Sequence, residues 1–215
     1  MNDMNQKRVP RANEGELSGP RWDAHFELWD ELLGAEITGA AGNVHRQKAV
    51  VVGDGVDFTA QVEVDPDAVA KALDRLTGSL KGLAVQAGGE LHDFVGDQFM
   101  ATFDHADQAV GFARRVGLVA KRAAGLTFRM GIDVGDITVT ATGRRVGRPI
   151  NIAARVLEFA PPGGIILTEA AYIEAVNTDA KSLGPRLLKG IAIPIRIYLA
   201  TTSEEIAIDK KEEAK

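Results

Sequence analysis

The sequence predicts an α+β domain, on three observations. Short apolar runs that read as strands alternate with longer stretches whose apolar residues recur at helical spacing. Glycine, proline and aspartate punctuate the joins between them. From about Lys48 the pieces follow the order β-α-β-β-α-β, that of a ferredoxin-like sheet with helices on one face.

The elements are read in order. Residues 1–20 are polar, with Pro10, Gly15, Gly19 and Pro20, and read as a flexible N-terminus. Residues 21–45 hold "RWDAHFELWDELLG", where Trp22, Phe26, Trp29 and Leu33 make one aromatic helical face opposite an acidic one, followed by a loop. Such a helix either docks on its own domain or binds a partner or a second copy. Ala49 to Val52 is a buried strand ending at Gly53-Asp54. Asp65-Pro66 is a cap followed by proline at the first helical position, and Val69, Leu73, Leu76, Leu80 and Leu83 form one stripe. "HDFVGDQFMATF" is two strands joined by Gly96-Asp97, glycine suiting a turn that needs positive φ. Asp104 is expected to cap a second helix bearing Ala109, Phe112, Val116 and Val119, and "LTFRMGIDV" is the next strand. A hairpin around "DITVTATGRR", a helix from about Pro149 to Phe159, the strand "GGIILT", a short helix and a closing strand pair ending "PIRIYLA" complete a domain over 46–201. Residues 202–215 are a charged tail, expected to be solvated.

At 215 residues with 45% apolar content, the chain can bury a real core. Its net charge of -5 argues against nucleic acid as a partner. The absence of cysteine excludes disulfides, thiolate nucleophiles and Cys-ligated zinc. With neither a signal-peptide core nor a membrane span in the sequence, a cytoplasmic location is expected. His25, His45, His92 and His105 show no metal-ligand spacing, and no G-x-S-x-G is present.

In a ferredoxin-like sheet the first strand lies beside the central hairpin, so the end of "VVVGD" approaches the hairpin tip and Asp54 comes near Asp97. Adjacent carboxylates repel and raise each other's pKa unless a cation sits between them. Oxygen ligands suit a hard ion, magnesium or manganese, held with the phosphates of a substrate. Two such ions clamp the attacking and leaving oxygens of a phosphoryl displacement. The glycine-rich "GDGVDFT" offers backbone N–H groups to a phosphate.

"VVVGDGVDFT", "GGELHDFVGDQFMATF", "FRMGIDVGDITV", "GRPINIAARVLEFAPPGGIILT" and "LLKGIAIPIRIY" resemble, in order and spacing, the catalytic domain of class III nucleotidyl (adenylate/guanylate) cyclases, over roughly residues 46 to 200. The resemblance implies conversion of a ribonucleoside triphosphate to its 3′,5′-cyclic monophosphate and pyrophosphate. It implies two Mg²⁺ or Mn²⁺ ions held by Asp54, Asp97 and the carbonyl of Gly55. Phe58, Thr59 and Lys189 would then hold phosphates, while Asn151 orients the ribose and Arg155 neutralises charge on the α-phosphate. It also implies a homodimer, with metal ligands from one protomer and Asn151 and Arg155 from the other, and an effector that responds downstream to the product.

The sequence departs from that family at three positions. Asp57 stands where the family usually has glycine, adding negative charge to the phosphate loop. Asp93 and Arg144 stand where adenylate cyclases usually carry a base-reading lysine and an aspartate or threonine, and Arg145 is an alternative to Arg144. A carboxylate accepts from the amino groups of guanine or cytosine, while arginine donates to a carbonyl oxygen such as guanine O6 or a pyrimidine O2. Both bases rise above adenine, although Asp93 and Arg144 pairing with each other is the simpler alternative. The stand-alone build is similar to bacterial pyrimidine cyclases of antiphage systems, which make cyclic UMP or cyclic CMP. Two readings compete: a diguanylate cyclase, from "VGDQF", and an inactive cyclase-like module that binds a nucleotide or a partner.

Overall fold

The computed structural model describes residues 44–176 and 178–200. The expectations for the N-terminus, for the aromatic helix and for the charged tail fall outside them. Within them the order is β1 (Val44–Gly55), α1 (Phe58–Val64), α2 (Pro66–Gln86), β2 (Gly89–Val95), β3 (Gln98–Phe103), α3 (Ala106–Ala124), β4 (Phe128–Val139), β5 (Arg145–Val146) and α4 (Arg148–Val156). A 3₁₀ turn (Leu157–Phe159), β6 (Ile165–Thr168), α5 (Glu169–Glu174), β7 (Ala180–Arg186) and β8 (Ile195–Ala200) follow.

One mixed sheet runs β2-β3-β1-β4-β6-β8-β7, with β5 paired to β4 off that path. Its β2-β3-β1-β4 half, all antiparallel, is the ferredoxin-like core expected from the sequence. Asp65 caps α2 as its position requires, its Oδ1 accepting from the Ala68 N–H at 2.9 Å. The stripe on α2 buries Leu76 and Leu80 and half-buries Leu73 and Leu83. Gly96 turns the hairpin with φ 60°, in the left-handed region that favours glycine.

Three details differ from expectation. Strand β1 extends well before its apolar run, because Val44 through Lys48 find backbone partners in β4, from Val139 to Gly135, without needing apolar side chains. Helix α1 lies within what reads as a loop; none of its seven residues is buried, so no periodicity announces it. Asp104 does not cap α3, whose N-cap residue is His105; its carboxylate pairs instead with Lys48 of β1.

Alternation along the strands gives the sheet two faces. Ala49 and Val51, Phe99, Ala101 and Phe103, and Phe128, Met130 and Ile132 belong to the main core with α2 and α3. Helix α4 lies on the opposite face, against β4. A Cβ added at Gly131 would stand 2.1 Å from the carbonyl oxygen of Ala153, and one at Gly135 would stand 2.9 Å from Pro149 Cγ, so these glycines let the helix approach the strand. Ile152 and Val156 of α4 join Ile166, Leu188 and Ile197 in a second core there.

Candidate active site

The alternation that sends Val51 into the core sends Asp54 to the α4 face. Across three adjacent strands the register aligns Gln98 of β3, Asp54 of β1 and Arg129 of β4 in one row. Asp54 is almost completely buried, at 2% exposure, so its charge must be compensated. The Gln98 Nε2 donates to its Oδ1 at 3.2 Å, and the Arg129 Nη2 donates to its Oδ2 at 2.8 Å. The Nε of Arg129 is itself buried without a hydrogen-bond partner among the described residues.

The tip of the β2–β3 hairpin meets the end of β1 as the strand order requires. The Gly55 N–H donates to the carbonyl oxygen of Asp97 at 3.0 Å. A Cβ at Gly55 would lie 2.9 Å from Asp97 Cβ and 3.2 Å from its Oδ2, so only glycine admits the Asp97 side chain this close to the strand. Asp54, Gly55 and Asp97 are thus assembled at one corner. Among the described residues no group of three or more His, Cys, Asp or Glu side chains is gathered to hold a metal ion. The donor set fits a hard cation nevertheless, because two carboxylates and a backbone carbonyl leave coordination positions for phosphate oxygens.

Beyond this corner the chain turns into α1. The Val56 N–H is tied to the Thr127 carbonyl at 2.8 Å, and Asp57 has φ 55°, the only positive φ of a non-glycine among the described residues. That backbone explains why glycine suits this position and why aspartate, which tolerates the left-handed region, can replace it. Phe58 and Thr59 open α1; Phe58 packs on the main core and Thr59 is exposed.

A second group forms around α4. Asn151 and Arg155, four residues apart, share one helix face, opposite the buried Pro149 and Ala153 that meet β4. Leu188, buried in the second core, anchors the turn that carries Lys189. Gly190, at φ 73°, packs so closely that a Cβ there would lie 3.1 Å from Arg155 Nη1. Arg155 and the Lys189-Gly190 turn are therefore together.

Of the base-reading candidates, Asp93 takes the register position opposite Met100 on β2. Arg144 closes the β4–β5 turn: its N–H donates to Thr140 Oγ1 at 3.1 Å and its carbonyl accepts from the Thr140 N–H at 2.8 Å. Sequence reasoning misses Arg129 and the pairing of Gln98 with Asp54. The only cue to Arg129 is its place in an alternating strand whose register with β1 is not visible in the sequence.

Asp133 is a further buried acid, 4% exposed, between Gly131 and Gly135 on the α4 side of β4. Burial raises its pKa above the ordinary 3.8, against the opposing pull of the Thr168 hydroxyl, which donates to Oδ1 at 2.5 Å, the Val134 N–H and Arg148. A folded-state pKa above the unfolded one means that stability from this group is full below the unfolded value and is lost as pH rises through the folded one. The wild type should therefore lose stability relative to Asp133→Asn as pH rises from about 4, the region of an ordinary carboxyl. Paired denaturation series across pH check this; parallel curves for the two proteins would refute it.

No family model matches the chain. Uncharacterized proteins of Mycobacterium tuberculosis and Mycobacterium bovis are each 31% identical to it over 147 residues, 66% of this chain. The chain spans only 38% of the length of these curated relatives. Among solved structures, the adenylyl cyclase CyaB from P. aeruginosa superposes with a TM-score of 0.68 at 25% identity, covering 76% of this chain and 97% of that one. The guanylate cyclase domain of RhGC from Catenaria anguillulae, in complex with GTP, gives 0.67 at 21% identity over 75% of this chain and 99% of its own. An adenylate/guanylate cyclase/hydrolase from Silicibacter pomeroyi gives 0.63 at 24% over 74% and 99%. In its fold, this chain is similar to the catalytic domains of adenylyl and guanylyl cyclases.

Proposed function

We propose that the chain is a nucleotidyl cyclase, converting a ribonucleoside triphosphate to its 3′,5′-cyclic monophosphate and pyrophosphate. The observation that carries this reading is the corner where buried Asp54, flanked by Gln98 and Arg129, meets Asp97 against Gly55. In the reaction the ribose 3′-oxygen bonds to the α-phosphorus, the bond from that phosphorus to the bridging oxygen breaks, and the hydroxyl proton passes to solvent. Asp54, Asp97 and the Gly55 carbonyl would hold Mg²⁺ or Mn²⁺, which would supply Lewis-acid charge there. Arg129, already fixed beside Asp54, offers its remaining donors to phosphate oxygens. Asn151 holds the ribose, Arg155 takes up charge growing on the α-phosphate, and Lys189 with the backbone of Phe58 and Thr59 binds the terminal phosphates.

The reading includes a homodimer, each site combining the Asp54 corner of one protomer with the α4 face of the other. The exposed Asn151 on α4 is available for that role. Asp57, exposed at the start of α1, adds a negative charge near the phosphates. The base is guanine or a pyrimidine rather than adenine; a cyclic pyrimidine nucleotide acting through a downstream effector in antiphage defence is the narrower version. Among the described residues no helix is long and apolar enough to cross a membrane.

Product analysis tests the reading. Purified protein is incubated with each of the four ribonucleoside triphosphates and Mn²⁺ or Mg²⁺, and the products are identified by mass. A 3′,5′-cyclic monophosphate with equimolar pyrophosphate is expected; release of phosphate or of a linear monophosphate instead would overturn it.

A further inference from the structure

Helix α1 rests on its neighbours without being buried by them. None of its seven residues is buried, and Val64 at its end is 85% exposed. Between α1, the first turns of α2 and the junction of α3 with β4, the chain leaves a groove of about 500 Å³. That is the size of a small-molecule site. Its apolar surface comes from Val64, Val69 and Leu126, and from Ala72, whose methyl group is too small to fill the space. Ala72 and Leu126 are buried and form the floor, while Val64 is a wall left open to water.

The rim of this groove is electronegative. The charged residues that line it are Asp57 and Asp65, and among the described residues no cation lines it. Asp65 caps α2 through one oxygen, and a carboxylate has about four acceptor sites, so capping does not exhaust it. The same cap answers the partial positive charge at the start of α2. Helices α1 and α3 both end at the groove, at Val64 and Ala124, and helix C-termini carry partial negative charge. The basic residues of the last turn of α3, Lys121 and Arg122, are exposed and are not part of the lining. Asp57 is one of the departures from the family pattern, so this charge belongs to the chain itself.

We propose that this groove is a ligand site, distinct from the Asp54 corner, for a small molecule that joins an apolar body to a cationic amine. The apolar body covers Val64, Val69 and Leu126, and the ammonium group meets the two carboxylates at the rim. Such a site goes beyond the nucleotidyl cyclase reading and does not depend on it. Leu126 is followed by Thr127, whose carbonyl accepts from the Val56 N–H at 2.8 Å, and Asp57 follows Val56. A ligand spanning Asp57 and Leu126 therefore touches both chain segments that border the corner.

Hexylammonium, hexanol and hexanoate share one chain and differ only in the head group, so they separate the two parts of the site. Each is titrated into the ¹⁵N-labelled full chain while the amide resonances are followed. Hexylammonium should bind saturably, with shifts centred on residues 57–72 and 124–126. It should bind about 3- to 10-fold more tightly than hexanol, the modest gain that exposed ion pairs give, and hexanoate should bind more weakly than either. Asp57→Asn/Asp65→Asn keeps both shapes, because asparagine tolerates the left-handed region and caps a helix as well as aspartate does. This double variant should bring hexylammonium down to the affinity of hexanol and leave hexanol unchanged. If it does not fold, the head-group order in wild type still decides. Shifts away from the groove, no saturable binding of hexylammonium, hexanoate bound as tightly as hexylammonium, or a preference for the ammonium that survives in the double variant would overturn the proposal. None of these outcomes bears on whether a triphosphate is cyclised, so the site and the cyclase reading fail separately.

Discussion

Asp97→Ala and Asp54→Asn should each lower cyclic nucleotide formation by at least about 10²–10³-fold, the loss typical of removing one preorganised charge-stabilising group. The two substitutions differ in structural risk. Asp97 sits half-buried at a hairpin tip, outside the main core, so its truncation should leave the melting temperature nearly unchanged. Asp54 is buried and compensates Arg129. Asparagine preserves its shape and can still accept from Gln98, but it leaves a guanidinium without its counter-charge, so some destabilisation is expected as well. Turnover is therefore compared at a temperature where circular dichroism shows each variant folded. Wild-type turnover in either folded variant would remove that carboxylate from the mechanism.

Mixing two inactive variants should restore activity. If each site takes Asp97 from one protomer and Arg155 from the other, an Asp97→Ala chain and an Arg155→Ala chain are each inactive as homodimers. A mixed dimer then has one doubly damaged site and one intact site. Random assembly of equal amounts makes half the dimers mixed, each with half its sites intact, so recovery should reach about a quarter of wild-type activity. Titrating one variant against the other and following product release measures this. Failure to recover activity, with mixed dimers demonstrated by mass, would mean that each protomer completes its own site.

Much of the corner at Asp54 can be read from the chain because it depends on strand order alone. Gly96-Asp97 between two apolar runs makes a hairpin, and the ferredoxin-like order puts that hairpin beside the first strand. Register is another matter. Arg129 reaches Asp54 across 75 residues of sequence because Asp54 pairs with Arg129 and not with a neighbour, and a slip by one residue would turn it to the other face. The same holds for the bulge at His92 in β2, whose extra residue appears only once β2 is aligned against β3. Asp104 misleads for a different reason: it has the composition of a cap, but Lys48 on β1 competes for its carboxylate and the helix starts after His105. Helix α4 is legible in its pattern, with Asn151 and Arg155 four apart opposite an apolar face. What the pattern does not reveal is that Gly131 and Gly135 make room for it on the far side of the sheet.

In this mechanism Asp54 and Asp97 would jointly hold a divalent cation beside a nucleotide's phosphates. Electron paramagnetic resonance of Mn²⁺ titrated into the protein, with an α,β-methylene triphosphate present, measures this directly. A bound Mn²⁺ signal that depends on the nucleotide and is lost in both Asp54→Asn and Asp97→Ala is expected. Undiminished Mn²⁺ binding in both variants would contradict it.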